Sequence, residues 1–276
     1  MNSAGLKYTS GSWQGYIAAD WQNTIPELEP WLAAHPGQLV VSYPSREVRR
    51  IETPRGVLYA KIIRGLTDPG LTGRDPGSFL KWYCRPSRAL ATWRISWQIL
   101  AAGFRCARPV LAVRRRSGCG YPTDIFISED VQAQALSDRL PQTPAAAADL
   151  AAILGRELAA FHRAGFGHGD CILRNLCLDS ESRLIFLDND RSKRLSRFWP
   201  FRACRRNLAQ LGYSARRLGL PEAFVQKMFS AYAQAAAWPA ARTAAETAAL
   251  LSAISRRLQQ RERNLRRKLH RAAPNE

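Results

Sequence analysis

Short runs of β-branched and aromatic residues dominate the first half of the chain and predict a small antiparallel sheet. Turn-forming Pro, Ser and Gly residues separate the runs, as in consecutive hairpins. A Gly- and Pro-rich loop and one helix interrupt them, with Ser87 as the predicted N-cap and Gly103 just past the helix end. The predicted strands are 39–43, 47–51, 57–63, 110–114 and 124–128, the loop is 65–77, and the helix is 87–102.

Apolar residues recur at helical spacing in most of the second half. Thr143 and Pro144 form a predicted N-cap and N1 pair before a helix that runs to Gly165. Two short apolar runs, 176–178 and 184–187, predict a hairpin. Three more helices are predicted at about 203–218, 221–237 and 240–271.

A small sheet with one helix, followed by a helical half, predicts an α+β protein with two lobes. We expect residues 38–132 to form the sheet-containing N-lobe and residues 133–276 to form the helical C-lobe. Residues 1–37 contain three Trp residues, so we expect this extension to pack on the body of the protein.

Composition narrows the class of protein. The 276 residues include 8 Trp, 8 Tyr and 10 Phe, enough for a sizeable core. The sequence contains no run of eighteen apolar residues, so no transmembrane helix is predicted. Residues 1–20 lack a signal-peptide pattern, and we therefore expect a cytoplasmic protein. The six Cys residues contain no CxxC pair, which favours reduced thiols over zinc ligands or disulfides.

The net charge of +19 is the strongest signal in the composition. Such a charge attracts nucleic acid, anionic lipid or a phosphorylated substrate. No recognised DNA- or RNA-binding motif accompanies it, so we expect no specific nucleic-acid binding.

One short stretch has the spacing that phosphoryl transfer requires. Residues 168–175, HGDCILRN, match H-x-D-x-x-x-x-N, and Asp188 follows at the end of the predicted hairpin. Such a reaction needs a carboxylate to take a proton from the acceptor hydroxyl, together with oxygen ligands for Mg²⁺. A tight loop places Asp170 and Asn175 on one side, and the hairpin returns Asp188 beside them. We expect His168 to orient the loop backbone.

The block 161–193 resembles the lipopolysaccharide kinase family, bacterial sugar kinases that phosphorylate Kdo or heptose in the lipopolysaccharide core. The likeness extends over about residues 38–235 and includes the segments 80–82, 86–89 and 103–109 and Trp93. It implies a protein-kinase-like fold and the use of ATP and Mg²⁺.

Carried over by position, the resemblance implies that Asp170 is the catalytic base and that Asn175 and Asp188 bind the metal. Lys61 would hold the α- and β-phosphates, with Lys81 as the competing choice. The other residues expected at the nucleotide are Ser42, Ser45 and Glu129.

Three departures from the family pattern affect this interpretation. The predicted helix 87–102 contains no Asp or Glu, and Thr92 stands where a Glu that pairs with the strand Lys is expected. No G-x-G-x-x-G lies between the first two predicted strands, so Ser hydroxyls and backbone N–H groups would have to hold the phosphates. Ile172 occupies the usual place of a catalytic-loop Lys, for which Arg174 could partly substitute.

The segment after Asp188 is short and basic, which favours a small anionic acceptor such as a sugar of the lipopolysaccharide core over a protein substrate. The candidate acceptor platform consists of Arg191, Lys193, Arg194, Arg197, Arg202, Arg205 and Arg206. The last predicted helix carries an apolar stripe bordered by Arg residues. It could lie on the anionic inner membrane, as in a peripheral protein, or pack on the C-lobe.

The sequence leaves three functions open. The first is an ATP-dependent kinase of a lipopolysaccharide-core sugar, expected to be monomeric. The second is a kinase of another small hydroxylated molecule, although the positive charge disfavours a polycationic aminoglycoside. The third, prompted by Thr92, is a pseudokinase that acts as a scaffold in the same pathway.

Overall fold

A computed structural model describes residues 5–64, 83–116, 122–143, 146–196 and 200–272, with the side chains of Pro200 and of residues 265–272 excepted. Several predicted features lie outside these residues: the loop 65–77, Lys81, Pro144 and Arg197. The chain divides into two compact units, Met1–Gln132 and Ala133–Glu276.

The described residues of the first unit form eight strands and two α-helices. The strands are β1 (Gly5–Ser10), β2 (Trp13–Ala18), β3 (Gln38–Tyr43), β4 (Arg46–Thr53), β5 (Gly56–Arg64), β6 (Arg105–Cys106), β7 (Pro109–Arg115) and β8 (Thr123–Glu129). The helices are α1 (Leu28–Ala34) and α2 (Arg88–Ala101), and a 3-10 turn spans Ala19–Trp21.

Seven of these strands form one antiparallel sheet in the order β1-β2-β7-β8-β5-β4-β3. The predicted strands are therefore confirmed, and α2 packs against β7 and β8. Ser87 caps α2 as predicted, because its hydroxyl accepts a hydrogen bond from the Leu90 N–H at 3.2 Å.

No strand is predicted before residue 38, yet β1 and β2 belong to the same sheet. Ser10 pairs with Trp13 across a two-residue Gly-Ser turn in which Gly11 has φ +54°, a conformation that glycine favours. Trp13, Trp21 and Trp31 are buried in the hydrophobic core of this unit. The N-terminal residues therefore supply part of the sheet and of its core.

The second unit is mainly helical, which together with the sheet confirms the α+β class. Its helices are α3 (Leu136–Arg139), α4 (Ala147–Arg163), α5 (Pro200–Arg217), α6 (Glu222–Ala235) and α7 (Ala240–Ala272). Its short strands are β9 (Phe166–Gly167), β10 (Leu176–Leu178), β11 (Leu184–Phe186) and β12 (Lys193–Arg194). The 3-10 turns are Leu140–Gln142, Leu173–Asn175 and Asn189–Arg191.

The predicted N-cap of α4 is wrong. The helix begins at Ala147 with Ala146 as N-cap, whose side chain makes no capping hydrogen bond. The Thr143 hydroxyl instead donates to the carbonyl oxygen of Arg139 at 3.1 Å, in the preceding turn. A hydroxyl that bonds back to an earlier carbonyl is not available as a helix cap.

Helices α4 and α6 cross closely, and an aromatic stack fixes the end of α4. A Cβ on Gly155 would lie 2.3 Å from the Met228 carbonyl oxygen, so the crossing requires glycine.

Phe161 stacks on Phe166 and on Phe186, with ring centroids 5.4 and 4.0 Å apart. This stack connects α4 to β9 and to the β10–β11 hairpin, whose prediction is confirmed.

The first half of α7 packs on α5. Leu250 and Ile254 are buried, and Arg257 lies over the Tyr213 ring at 4.6 Å. Arg256, Arg261 and Arg263 are exposed. The predicted stripe therefore serves packing in this half, whereas Leu265 and Leu269 belong to the side chains that the structure does not describe. None of the helices in the described ranges combines the length and the hydropathy that a membrane crossing requires.

Candidate functional site

The loop between β9 and β10 holds Asp170 and Asn175 by hydrogen bonds to backbone groups. The Asp170 N–H donates to His168 Nδ1 at 3.2 Å, and Asn175 Nδ2 donates to the Asp170 carbonyl oxygen at 2.9 Å. The Leu187 N–H donates to the Asn175 carbonyl oxygen at 2.9 Å. Asn175 therefore connects the backbone of Asp170 to the residue that precedes Asp188.

Asp188 lies two residues beyond the end of β11 and has φ 52° and ψ 58°, in the left-handed region. A non-glycine residue rarely adopts this conformation, and such residues concentrate at functional sites. The chain turns there from a buried strand into the 3-10 turn that contains Asn189. The turn directs the Asp188 backbone away from the strand at the point where the sequence predicted a metal ligand.

His168 connects the two halves of this site. It is 1% exposed, and its Nδ1 accepts from the Asp170 N–H while its Nε2 lies 2.8 Å from the Leu187 carbonyl oxygen. Because a carbonyl only accepts, Nε2 carries the proton. Burial lowers the pKa of His168, although the neighbouring Asp188 and Asp170 raise it. The prediction that His168 orients the loop backbone is confirmed.

Gly169 allows the loop to approach the 3-10 turn after Asp188. A Cβ at this position would lie 2.2 Å from the Arg191 Cβ and 2.3 Å from the Arg191 carbonyl carbon. The Gly169 N–H donates to Ser192 Oγ at 3.2 Å, and Ser192 Oγ donates to Asn189 Oδ1 at 3.0 Å. The loop with Asp170 and the turn after Asp188 are thus in direct backbone contact.

The donor set fits Mg²⁺. Since Asn175 Nδ2 is used by the Asp170 carbonyl, its Oδ1 is left as the oxygen ligand. Mg²⁺ prefers oxygen ligands and is often held by one or two carboxylates together with substrate phosphates. No cluster of three or more His, Cys, Asp or Glu groups that could hold a metal occurs among the described residues.

The four expected nucleotide-binding residues lie in the first unit. Lys61 is half-buried in β5, in register with Val48 and Phe126. Ser42 is exposed on the edge strand β3, and Ser45 lies in the two-residue turn between β3 and β4. A tight hairpin turn therefore joins β3 and β4, where the resemblance would lead us to expect a glycine-rich loop.

The Glu129 carboxylate is hydrogen-bonded to other residues of the first unit. Its Oε1 accepts from Trp21 Nε1 at 3.1 Å and from Arg108 at 2.5 Å. Arg108 also pairs with Asp20 at 2.8 Å, and Arg55 pairs with the same carboxylate at 3.1 Å. The hydrogen bond from Arg108 is the largest cause that lowers the pKa of Asp20. The Glu129 side chain therefore ties the end of β8 to the N-terminal residues.

Thr92, at the position where a Glu was expected, is buried in α2. Its hydroxyl donates to the Arg88 carbonyl oxygen at 2.8 Å. Glu47 is a buried acid that the sequence analysis did not single out, and it pairs with Arg49 and, at 2.9 Å, with Arg64. In β4 it is opposite Ile62, so it points to the other face of the sheet from Lys61. It cannot replace the expected Glu.

Several residues of the candidate acceptor platform are bonded within the protein. Arg194 donates to the Ala164 carbonyl oxygen, Arg205 pairs with Glu246 at 3.1 Å, and Arg206 donates to the Gly169 carbonyl oxygen at 2.9 Å. Arg191 and Lys193 are exposed. Arg174, the other catalytic candidate, is also exposed, in the 3-10 turn that ends at Asn175.

Asn207 on α5 contacts the loop, although the sequence analysis did not predict this. It is 1% exposed, and its Oδ1 accepts from the His168 N–H at 2.9 Å. The detectable signal is an uncharged amide among the apolar positions of an amphipathic helix, next to Leu208. From the sequence alone, such a polar residue is assigned to the solvent-exposed face of the helix, because its hydrogen-bond partner is not known.

Behind Asn207, a buried histidine predicts a stability that depends on pH. His162 is 6% exposed, with Nδ1 2.9 Å from the Tyr232 hydroxyl and Nε2 3.0 Å from Asn207 Oδ1. Burial lowers its pKa to about 4. Between about pH 6.5 and pH 4, His162 therefore binds a proton in the unfolded chain but not in the folded chain. The contribution of neutral His162 to the stability of the folded chain is lost as the pH falls through this range.

Between pH 7 and pH 5 we expect His162 alone to lower the free energy of unfolding by roughly 2 kcal/mol. Urea unfolding at both values measures this difference. The variant His162→Gln, which does not titrate, should have a shallower pH dependence. An identical pH dependence in the two proteins would contradict the assignment.

Comparison with known proteins adds the family. The model of the lipopolysaccharide kinase (Kdo/WaaP) family matches residues 78–232. The chain is similar to proteins named 3-deoxy-D-manno-octulosonic acid kinase. That of Vibrio vulnificus (strain CMCP6) is 28% identical over 137 residues, 50% of this chain and 52% of the relative. That of Vibrio parahaemolyticus serotype O3:K6 (strain RIMD 2210633) is 24% identical over 140 residues, 51% of this chain and 53% of the relative.

The chain spans about half the length of these curated relatives. A solved structure described as WaaP in complex with acyl carrier protein is similar at a TM-score of 0.64 and 19% identity. The aligned region covers 88% of this chain and 97% of the chain in that structure. At this level of identity the likeness shows the fold.

Proposed function

Because the chain belongs to the lipopolysaccharide kinase (Kdo/WaaP) family, we propose that it transfers the γ-phosphoryl group of ATP to a sugar hydroxyl of the lipopolysaccharide core. The relatives named 3-deoxy-D-manno-octulosonic acid kinase suggest an acidic core sugar as the acceptor. The observation that carries the proposal is the pair of hydrogen bonds by which Asn175 connects Asp170 to Leu187.

Asp170 acts as the base in this reaction. The acceptor hydroxyl oxygen forms a bond to the γ-phosphorus and its proton goes to the Asp170 carboxylate. The bond from the γ-phosphorus to the bridging oxygen breaks, and ADP leaves with the electron pair. The Asp170 backbone is fixed on both sides, by His168 Nδ1 at its N–H and by Asn175 at its carbonyl. Fixing the base in this way lowers the entropic cost of reaching the transition state.

Asn175 Oδ1 and the Asp188 carboxylate would hold Mg²⁺. Mg²⁺ bound there would neutralise charge on the phosphate oxygens of the nucleotide. His168 holds the two ligand-bearing segments together through Leu187. Arg174 supplies an exposed positive charge in the same loop, in place of the missing Lys at Ile172.

Lys61 binds the α- and β-phosphates, with Ser42, Ser45 and backbone N–H groups of the β3–β4 turn around them. A two-residue hairpin turn offers fewer N–H groups than a glycine-rich loop. The Glu129 carboxylate is already bonded to Trp21 and Arg108. Glu129 therefore contributes to nucleotide binding through its position at the end of β8. For the acceptor, Arg191 and Lys193 offer exposed positive charge just after the metal ligand Asp188.

A second candidate function is a pseudokinase that binds nucleotide without turnover. Thr92 favours it, because this buried hydroxyl bonds to its own helix and cannot form the ion pair that a Glu would form with Lys61. Incubation of the purified protein with ATP, Mg²⁺ and core oligosaccharide separates the two. Phosphorylated oligosaccharide in the mass spectrum supports the kinase. Its absence, with ATP bound, supports the pseudokinase.

The exposed Arg residues of α7 support a peripheral location of the protein at the cytoplasmic face of the inner membrane. Arg256, Arg261 and Arg263 provide positive charge that anionic lipid attracts, at about 1 kcal/mol for each residue near the surface. We expect the protein to sediment with vesicles that contain 30% anionic phospholipid and to remain free with neutral vesicles. Replacing the three Arg residues by Gln should halve the bound fraction or more. Equal binding of the two vesicle types would contradict a peripheral location.

A further inference from the structure

One face of α5 accepts hydrogen bonds from three backbone N–H groups of the loop that contains Asp170. The His168 N–H donates to Asn207 Oδ1 at 2.9 Å. The Cys171 N–H donates to Gln210 Oε1 at 3.4 Å, and the Leu173 N–H donates to Ser214 Oγ at 3.1 Å. The acceptors follow the spacing i, i+3, i+7, which places them on one side of a helix.

The loop needs partners of this kind because it is buried and irregular. His168, Cys171 and Leu173 are each at most 1% exposed, and a buried N–H group without a partner costs about 1–3 kcal/mol. Strand pairing satisfies such groups in a sheet, but His168 and Cys171 lie between β9 and the 3-10 turn, and Leu173 is the first residue of that turn. Side chains of α5 take the place of a neighbouring strand.

Asn207 holds one peptide segment from both sides. Its Nδ2 donates to the His168 carbonyl oxygen at 2.7 Å, and it also donates to Gln210 Oε1 at 3.3 Å. Since a carbonyl only accepts, the amide orientation of Asn207 is fixed, and its Oδ1 faces the His168 N–H and His162 Nε2. The side chain therefore uses both its donors and its acceptor within the protein.

Asp170 lies between two of the anchored residues, His168 and Cys171. Its own N–H and carbonyl groups are bonded within the loop. Movement of the Asp170 backbone relative to α5 therefore requires that the bonds to Asn207 and Gln210 break or stretch. Rigidity of this kind matters for a base, because a misplacement of about 1 Å costs on the order of a hundredfold in rate.

We propose that Asn207, Gln210 and Ser214 are positioning residues that set the place of the Asp170 carboxylate and thereby kcat. This role rests on the proposed phosphoryl transfer, since it acts through Asp170. The three side chains act on the loop backbone and belong to the second unit, whereas the proposed phosphate-binding residue Lys61 belongs to the first.

Amide exchange measured by NMR tests the positions one by one. Asn207→Ala should speed the exchange of the His168 N–H, Gln210→Ala that of Cys171, and Ser214→Ala that of Leu173, each by tenfold or more. The other two amides should change less in each variant. Exchange of all three at the wild-type rate in these variants would overturn the proposal.

Kinetics test the consequence for catalysis. We expect Asn207→Ala to lower kcat on the order of ten- to a hundredfold, with KM for ATP changed less than threefold. Gln210→Ala and Ser214→Ala, which each lose one bond to the loop, should lower kcat by threefold or more. They carry the test if Asn207→Ala does not fold.

A variant of similar stability loss separates positioning from simple destabilisation. Val225→Ala removes two methyl groups from the buried face of α6 and leaves the hydrogen bonds to the loop in place. It should lose stability yet keep kcat within twofold. Positioning is overturned if kcat follows the melting temperature in the same way in all four variants. If the wild type transfers no phosphate, phosphoryl transfer fails, and the proposed role in setting kcat fails with it, even where the amides respond one by one.

Discussion

Asp170→Asn is expected to lower kcat for phosphoryl transfer by about 10²–10⁴-fold. The amide keeps the shape of the side chain but cannot take the proton of the acceptor hydroxyl. The bonds that anchor Asp170 use its backbone N–H and carbonyl groups, so they survive the change. We therefore expect the melting temperature and KM for ATP to remain near those of the wild type.

The measurement is steady-state transfer from labelled ATP to core oligosaccharide. Glu181→Gln is a suitable control, because Glu181 is an exposed acid in the turn between β10 and β11, and it should keep full activity. If Asp170→Asn transferred phosphate at the wild-type rate, Asp170 would not be the base. The interpretation of the whole loop as a catalytic site would then be wrong.

Gly169→Ala is expected to reduce kcat on the order of a hundredfold and to lower the free energy of unfolding by about 1–3 kcal/mol. The added methyl group would lie 2.2 Å from the Arg191 Cβ, 2.3 Å from the Arg191 carbonyl carbon and 2.5 Å from its Cα. Two of these atoms belong to the backbone, so a rotamer change cannot relieve the contact. The loop and the turn after Asp188 must move apart.

Gly212→Ala provides a matched control on α5. There the new methyl group would meet three side chains, with Ile254 Cδ1 nearest at 2.5 Å. Side-chain ends can shift, and alanine favours the helix by roughly 1 kcal/mol over glycine. Kinetics and urea unfolding of both variants give the comparison. Equal kcat values for the two variants would show that the backbone contact at Gly169 does not position Asp170.

Much of this arrangement could be predicted from the sequence because the signals are local. The β10–β11 hairpin, the Ser87 cap and the spacing of Asp170, Asn175 and Asp188 each depend on a few neighbouring residues. A fixed loop followed by a short hairpin determines which residues return beside it. The chemistry of the site could therefore be inferred without knowledge of the tertiary structure, and the roles of the residues stay predictions.

The features that the sequence analysis missed depend on distant partners. Asn207 is 39 residues from His168, and its neighbours give no sign that it is bonded to a loop. The strands β1 and β2 had a detectable signal in the Gly11 turn, yet short strands next to Trp-rich segments are easily read as irregular. Thr143 resembles a helix cap in sequence, but its hydroxyl is bonded to the preceding turn. For Asn207 and Thr143 a partner elsewhere in the structure determines the role of the side chain, and that partner is not visible in the neighbouring sequence.

The position of β2 beside β7 also determines where this chain can be divided. The segment that matches the family model begins at residue 78, whereas β2 pairs along β7 from Trp13 with Arg115 to Ile17 with Leu111. A fragment cut to the family boundary would leave the N–H and C=O groups of a central strand open to self-association. Expression boundaries for crystallisation or assay should therefore follow the sheet.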